Sequence, residues 1–360
     1  MAIKISVAAV AILIAATLGM GCGTAAQPAA PAAQPTSPPA QPATQPTKPA
    51  AQQPTAQATA QPVAKPQTRF PEKPVTLIVA YGAGGGTDVT ARLLAADLEK
   101  PLGQPVTVTN VTGGGGWTGW GQLAHSAPDG YTIGYINIPN IFAGYLDPNV
   151  KRPESLASFT PIMNHVTDPC VWVVKADSKY KDLKSVLDDM KAQPDKVSIA
   201  AHGAGGDDDL AIRLIKKLTG AKPAQINNDS TAKSITQLLG GHVDVVGANV
   251  SEVVGQVKNG EVRVLGVMGE KRSEYLKDVP TFKEQGVDVV MSVSRGIAAP
   301  AKTPDDIVKV LSDGLTKAMQ NPSHVKKAEE LALSLDVMTG DEYAKFLKGE
   351  EQRIKELMGW

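Results

Sequence analysis

Residues 80–94 read AYGAGGGTDVTARLL: the apolar run PVTLIV feeds four glycines crowded into one turn, then Thr87, Asp88 and a helical repeat. Glycines at a helix start expose bare amides, so the chemistry on offer is anion binding by the backbone. A Walker loop needs G-x-x-x-x-G-K-[ST], and counting from Gly82 puts Thr87 at its second glycine and Asp88 at its lysine. A dinucleotide G-x-G-x-x-G fails at the same Thr87, and Asp88 sets a negative charge where a phosphate wants a cation. The loop therefore speaks against nucleotide binding. Two readings stay open: a structural turn in which Thr87 or Asp88 caps the helix, and a site for a weakly charged anion such as a carboxylate.

Other chemistries find no footing. The histidines, at 125, 165, 202, 242 and 324, show no H-E-x-x-H or other metal spacing, and no G-x-S-x-G elbow or Cys-His pair in a credible context appears. No metal, cofactor or catalytic nucleophile is expected. Trp117, Trp120 and Trp172 fit either packing or stacking on an aromatic acid.

The elements that position the loop follow an α/β pattern. Short β-branched runs lie at 75–80, 105–110, 131–138, 171–175, 197–201, 224–228, 243–249 and 262–268, most of them separated by helical stretches. In TDVTARLLAADLEKPLG, Val89, Leu93 and Ala96 share a face; in DDDLAIRLIKKLTG, Leu210, Leu214, Ile215 and Leu218 do, and Gly220 ends the helix. Such alternation predicts parallel sheets covered by helices in two α/β lobes with a cleft between them. The last third reads as consecutive helices that pack back onto the first lobe.

The N-terminal part is of another kind. Ile5 to Met20 is apolar and uncharged, too short to span a bilayer and fit for the h-region of an export signal. It ends at LGMGCG, which resembles the lipobox of bacterial lipoproteins, although Leu18 stands one place upstream of the usual position and Met20 is not small. The resemblance implies a signal peptide at 1–22 with Cys22 as lipid anchor. Residues 23–68, almost only Ala, Pro, Gln and Thr, read as a disordered tether. Lys4, Lys48, Lys65 and Arg69 precede the first acid, Glu72, which leaves 32 basic against 36 acidic residues beyond them, a body of about −4. That balance speaks against nucleic acid. With Cys22 taken, Cys170 is alone, so no internal disulfide is expected.

Six segments in order resemble the substrate-binding proteins of tripartite tricarboxylate transporters, the Bug family. They are RFPEKPVTLIVAYGAGGGTDVTARLLAADLEKPLGQPVTVTN, GGGGWTGWGQLAHSAPDGYTIG, FTPIMNHVTDPCVWVVK, the glycine-rich loop at His202, ITQLLGGHVDVVGANVSEVVGQVKNGEVRVLGV and RSEYLKDVPTFKEQG. The resemblance covers about residues 69–355 and implies a two-lobed, periplasmic-binding-protein-like α/β fold of the Venus-flytrap type II. Lobe 1 would occupy 69–170, lobe 2 171–294, with 295–360 returning to lobe 1. It implies no enzyme but an extracytoplasmic, lipid-anchored monomer. Such a protein captures a small organic acid, a di- or tricarboxylate, an amino acid or an aromatic acid, and passes it to the membrane subunits of a secondary transporter. A ligand sensor feeding a membrane kinase is the alternative.

Carried over residue by residue, the resemblance assigns Tyr81, Ala83, Gly84, Gly85, Thr87 and Asp88 to a first-lobe carboxylate loop and Asn137 and Asn140 to the next cleft loop. It assigns His202, Gly203, Gly205 and Gly206 to a second-lobe loop, and adds Asn249. The chain departs from the family at Asp207, Asp208 and Asp209, with Asp209 the odd one. These fit helix capping, or one aspartate turned into the cleft to select a cationic group, in which role Asp207 is a candidate. It departs again at 227–230, where Asn228 or Asp229 stands in for an aromatic lid contact.

Overall fold

The computed structural model describes residues 69–360; the signal segment, Cys22 and the tether at 23–68 lie outside the described residues. In chain order the elements are β1 (Val75–Val79), α1 (Gly86–Leu102), β2 (Val106–Asn110), α2 (Trp117–Ala124), β3 (Thr132–Ile138), α3 (Asn140–Leu146) and β4 (Phe159–Lys175). Next come α4 (Leu183–Ala192), β5 (Ser198–His202), α5 (Asp207–Thr219), β6 (Ala224–Asn228), α6 (Thr231–Leu239), β7 (Val245–Asn249), α7 (Val250–Lys258) and β8 (Val262–Val267). The chain ends with β9 (Ser292–Pro300), α8 (Asp305–Met319), α9 (Pro322–Glu330), β10 (Leu335–Thr339) and α10 (Gly340–Met358).

The strands run in the order β2-β1-β3-β9-β4-β7-β5-β6, with β8 and β10 also on β4. β1 is parallel to β2 and β3, and β5 to β6 and β7, as the alternation predicts. The middle differs from the all-parallel expectation: β4, β8, β9 and β10 pair antiparallel. Phe159 to Pro169 of β4 lies against β9, and its remainder against β7 and β8, so one long strand runs through both lobes. Its first half escapes the strand pattern because Pro161, His165, Asp168 and Pro169 interrupt the apolar alternation; β9 and β10 escape it as well.

Burial follows neighbours rather than a single helical stripe. On α1, Ala91, Leu94, Ala95, Leu98 and Leu102 pack with Leu311 and Leu315 of α8, while Ala96 is exposed. Leu93 joins Val166, Ala328 and Leu333 in a separate cluster. On α5, Leu210, Leu214 and Ile215 are buried, but Leu218 is 52% exposed, contrary to the predicted face. Trp117, Trp120 and Trp172 all belong to the core, Trp120 donating to the Tyr135 carbonyl at 3.0 Å.

A buried polar chain pins β3, β4, α9 and α1 to one another. Tyr135 OH lies 2.8 Å from His165 Nδ1, His165 Nε2 is 2.9 Å from His324 Nε2, and His324 Nδ1 is 3.0 Å from Asp97 Oδ2. One proton arrangement satisfies every link with both imidazoles neutral: Tyr135 donates to His165, His165 to His324, and His324 to Asp97. Burial holds both histidines below their ordinary pKa, His165 also through His324 and Arg295, whereas Asp97 partly offsets the effect at His324. The folded state thus resists protonation that the unfolded chain accepts. The stability this contributes is full above the unfolded value of about 6.5 and is lost as pH falls through and below it toward the lowered folded values. Accordingly the melting temperature should fall more between pH 7.5 and 5 in the parent than in a His324→Gln variant; parallel profiles would refute the assignment.

Candidate functional site

Two strand-to-helix loops of nearly one sequence face each other. After β1 the chain reads Gly82-Ala83-Gly84-Gly85-Gly86-Thr87-Asp88 with Arg92 a turn later; after β5 it reads Gly203-Ala204-Gly205-Gly206-Asp207-Asp208-Asp209 with Arg213 a turn later. The backbone repeats as well, Gly84 and Gly205 sitting at φ 78° and 77°, where an L side chain is strained. Gly85 and Gly206 are the extended N-caps of α1 and α5. Gly84 N–H donates to Asp88 Oδ2 at 2.9 Å and Gly205 N–H to Asp209 Oδ2 at 2.8 Å. Arg92 pairs with Asp88 at 2.9 Å and Arg213 with Asp209 at 2.8 Å. From the adjoining strand, Asn110 donates to Asp88 and Gln225 to Asp209. Burial opposes the charge on Asp88, but Arg92, Gly84 and Asn110 hold its pKa below the ordinary value.

Asp88 and Asp209 are thus the same staple in two loops. This corrects one expectation, since neither Thr87 nor Asp88 is the cap, and it gives Asp209, where the chain departs from the family, the same role as Asp88. Just before each loop stand Tyr81 and His202, whose rings meet edge to face at 4.9 Å.

The correspondence continues after β3 and β7, where Asn137 matches Asn249 and Asn140 matches Glu252. Asn140 Oδ1 accepts from the Asp207 N–H at 3.1 Å, the first helical amide of α5. Glu252 Oε1 accepts from the Gly86 N–H at 2.8 Å, the first helical amide of α1. Each lobe therefore presents a side chain to the helix start of the other. Glu252 is a carboxylate, so the anion expected at the glycine loop is here supplied by the protein itself. Two more loop amides are engaged, Gly82 N–H with the Asp229 carbonyl at 3.1 Å and Gly85 N–H with the Gly82 carbonyl at 3.4 Å.

Between the loops lies a buried polar core. Asp207 accepts from Asn140, Asn249 and the Cys170 thiol, and Asn140 also donates to the Tyr81 hydroxyl at 2.9 Å. Asp207 is fully buried among these donors rather than turned to an open cleft. Burial, then the Asp207 charge, pushes the Cys170 thiol up, so it stands as a proton donor. Burial alone would lower the pKa of His202, but Asp208, 3.0 Å away, and the charge of Asp207 push it up to about 9. Burial and Asp207 raise Asp208 to about 7 against the pull of His202. Arg295 of β9, 1% exposed, donates to Asp168 at 2.9 Å and Asn249 at 3.0 Å and lies 3.9 Å from Glu252. Asn137 donates to Thr87 Oγ1 at 2.9 Å. Asn228 borders the cleft, and its side-chain amide donates to Ser234 and Gln237.

Two cavities along this seam flank the glycine patch. One, about 210 Å³, is bounded by Tyr81, the glycine patch Gly113 to Gly116, Gly203, Ala204 and the 227–229 backbone. A second, about 380 Å³, lies between α3, the glycine patch and Ala204. Gly114, Gly115 and Ala204 border both. Gly115, at φ 66°, abuts lobe 2 so closely that a Cβ would stand 2.2 Å from the Ala204 carbonyl oxygen.

The family description "tripartite tricarboxylate transporter family receptor" matches residues 90–359. The chain belongs to this receptor family. A Cupriavidus necator relative, "UPF0065 protein in gbd 5′region", is 32% identical over 302 residues, 83% of this chain and 91% of its own length. The solved structure of periplasmic binding protein BugD superimposes with a TM-score of 0.76 at 28% identity, covering 81% of this receptor and 98% of BugD. MatC from Rhodopseudomonas palustris with bound malate gives 0.74 at 25% identity, over 80% and 99% of the two chains. These likenesses establish a Bug-type substrate-binding protein with a two-lobed α/β fold. Among the described residues, no helix is long and apolar enough to cross a membrane.

Sequence reading missed Glu252, Asp168, Arg295 and Arg152. A signal for the first was present: Asn137-Ile-Pro-Asn140 and Asn249-Val-Ser-Glu252 each place a polar residue three positions beyond a strand-ending asparagine, which becomes meaningful only once the two loops are seen as a repeat.

Proposed function

We propose that this receptor captures a small organic carboxylate outside the cytoplasm and delivers it to the membrane subunits of a tripartite tricarboxylate-type transporter, held to the membrane through a lipid on Cys22. The observation that carries the reading is the seam cavity between Tyr81 and the glycine patch Gly113 to Gly116 on one side and the second-lobe loop at Gly203 and Ala204 on the other. Ala83 and Ala204, at the same position of each loop, are exposed and keep backbone N–H groups that no oxygen of the described residues accepts; of the two, Ala204 borders both cavities. In this reading the ligand's carboxylate takes such amides beside Tyr81 and His202, while Gly84, Gly85, Gly203, Gly205 and Gly206 shape the loops. Thr87, Asp88, Asn137, Asn140, Asp207, Asn228 and Asn249 hold that frame from behind. The malate-bound relative supports the ligand class.

Capture proceeds by lobe closure, since ligand contacts on both sides favour the state in which the lobes meet. A thermal-shift screen with malate, other di- and tricarboxylates, amino acids and aromatic acids tests the reading. A ligand at a hundredfold excess over its Kd should stabilise by about 2.7 kcal/mol, a rise of roughly 5–10 °C. No shift with any acid, or turnover of one, would sink it.

A further inference from the structure

We infer that Arg152 forms a second anion subsite that takes the distal acidic group of an extended di-acid. This rests on the carboxylate reading above and adds the residue that sets ligand length and charge. The larger seam cavity has three charged side chains on its wall: Asp147, Arg152 and Arg213. Two of them are mutually satisfied. Asp147 accepts from Asn149 through one oxygen and from Arg213 through the other at 3.0 Å, and Arg213 also pairs with Asp209 at 2.8 Å.

Arg152 has no acidic or hydrogen-bonded side-chain partner among the described residues. Its Nε is buried with nothing to donate to, and its Cζ lies 5.5 Å from the centre of the Trp117 ring. The backbone holds the residue in place, Arg152 N–H donating to the Gly144 carbonyl at 2.9 Å. Gly114 leaves room for the guanidinium, since a Cβ there would approach Nη2 to 3.2 Å. The planar fork of a guanidinium without a counter-charge matches a carboxylate in bidentate geometry. Gly114, Gly115 and Ala204 stand between the two cavities, so a ligand with one acid near Tyr81 reaches Arg152 with its other end where the close Gly115–Ala204 contact opens.

The test is titration calorimetry of the full chain with linear dicarboxylates from malonate to pimelate and with monocarboxylates of matched length, on the parent and on Arg152→Gln and Arg152→Lys. At least one di-acid should bind tenfold or more tightly than its mono-acid counterpart. R152Q should bring the di-acid down to the mono-acid's level, and R152K should retain part of the difference. Full discrimination persisting in R152Q, or none in the parent, would overturn the role of Arg152 while leaving carboxylate binding intact. If no acid binds the parent, the carboxylate reading fails and Arg152 with it. Melting curves of each variant separate loss of the subsite from loss of the fold.

Discussion

Replacing Arg295 with Met is expected to lower stability by about 3–5 kcal/mol, because it strands a buried carboxylate. Asp168 is fully buried and receives Arg295 at 2.9 Å, Ser251 Oγ at 2.5 Å and the Ser251 amide at 3.3 Å. Removing the guanidinium leaves Asp168 facing Glu252 without its cation and leaves Asn249 Oδ1 without its donor. Burial already raises the pKa of Asp168, so part of the loss would appear as protonation of that group. For a body of this size the melting temperature should fall on the order of 10 °C. The double change Arg295→Met with Asp168→Asn should recover more than half of the loss, since a pair removed together costs less than one partner removed alone. A single variant within about 1 kcal/mol of the parent would show that the network adds little.

The second large effect falls on binding. Gly115→Val should weaken the acid found in the thermal-shift screen by a hundredfold or more, about 2.8 kcal/mol. A Cβ at this position meets a backbone oxygen at 2.2 Å, an obstacle that no rotamer change removes, and φ 66° is itself unfavourable for a branched residue. Relief comes by moving the lobes apart. Small-angle scattering of the variant should therefore show no compaction when ligand is added, whereas the parent compacts. Gly121→Ala, with no atom within 4 Å of its new Cβ, is the matched control and should bind as the parent does. Parent-like affinity in G115V would mean that the glycine patch does not limit closure.

The residues legible in the sequence are those with local causes. The glycine loops at 82–86 and 203–206, the amphipathic helices and most parallel strands follow from positive-φ demands and apolar periodicity acting over a few positions. What escapes is set by distant partners. The first half of β4 reads as irregular until His165 is seen to meet Tyr135 and His324, and Asp168 to meet Arg295. Ala96 and Leu218 fall on predicted buried faces because periodicity names a stripe but not what covers it. The three aspartates at 207–209 divide by environment: one staples its loop, one pairs with His202, and one binds Asn140 and Asn249. No spacing rule distinguishes them.

The reciprocal contacts at the two helix starts also give the binding frame a direction. Exchange of the lobes brings loop onto loop, Tyr81 onto His202 and Asn137 onto Asn249, but it brings neutral Asn140 onto anionic Glu252. The start of α5 is met by a neutral amide and the start of α1 by a carboxylate. The two halves are thus alike in backbone and unlike in charge, so any change of pH or salt that acts on Glu252 acts on the start of α1 and leaves its counterpart at α5 untouched.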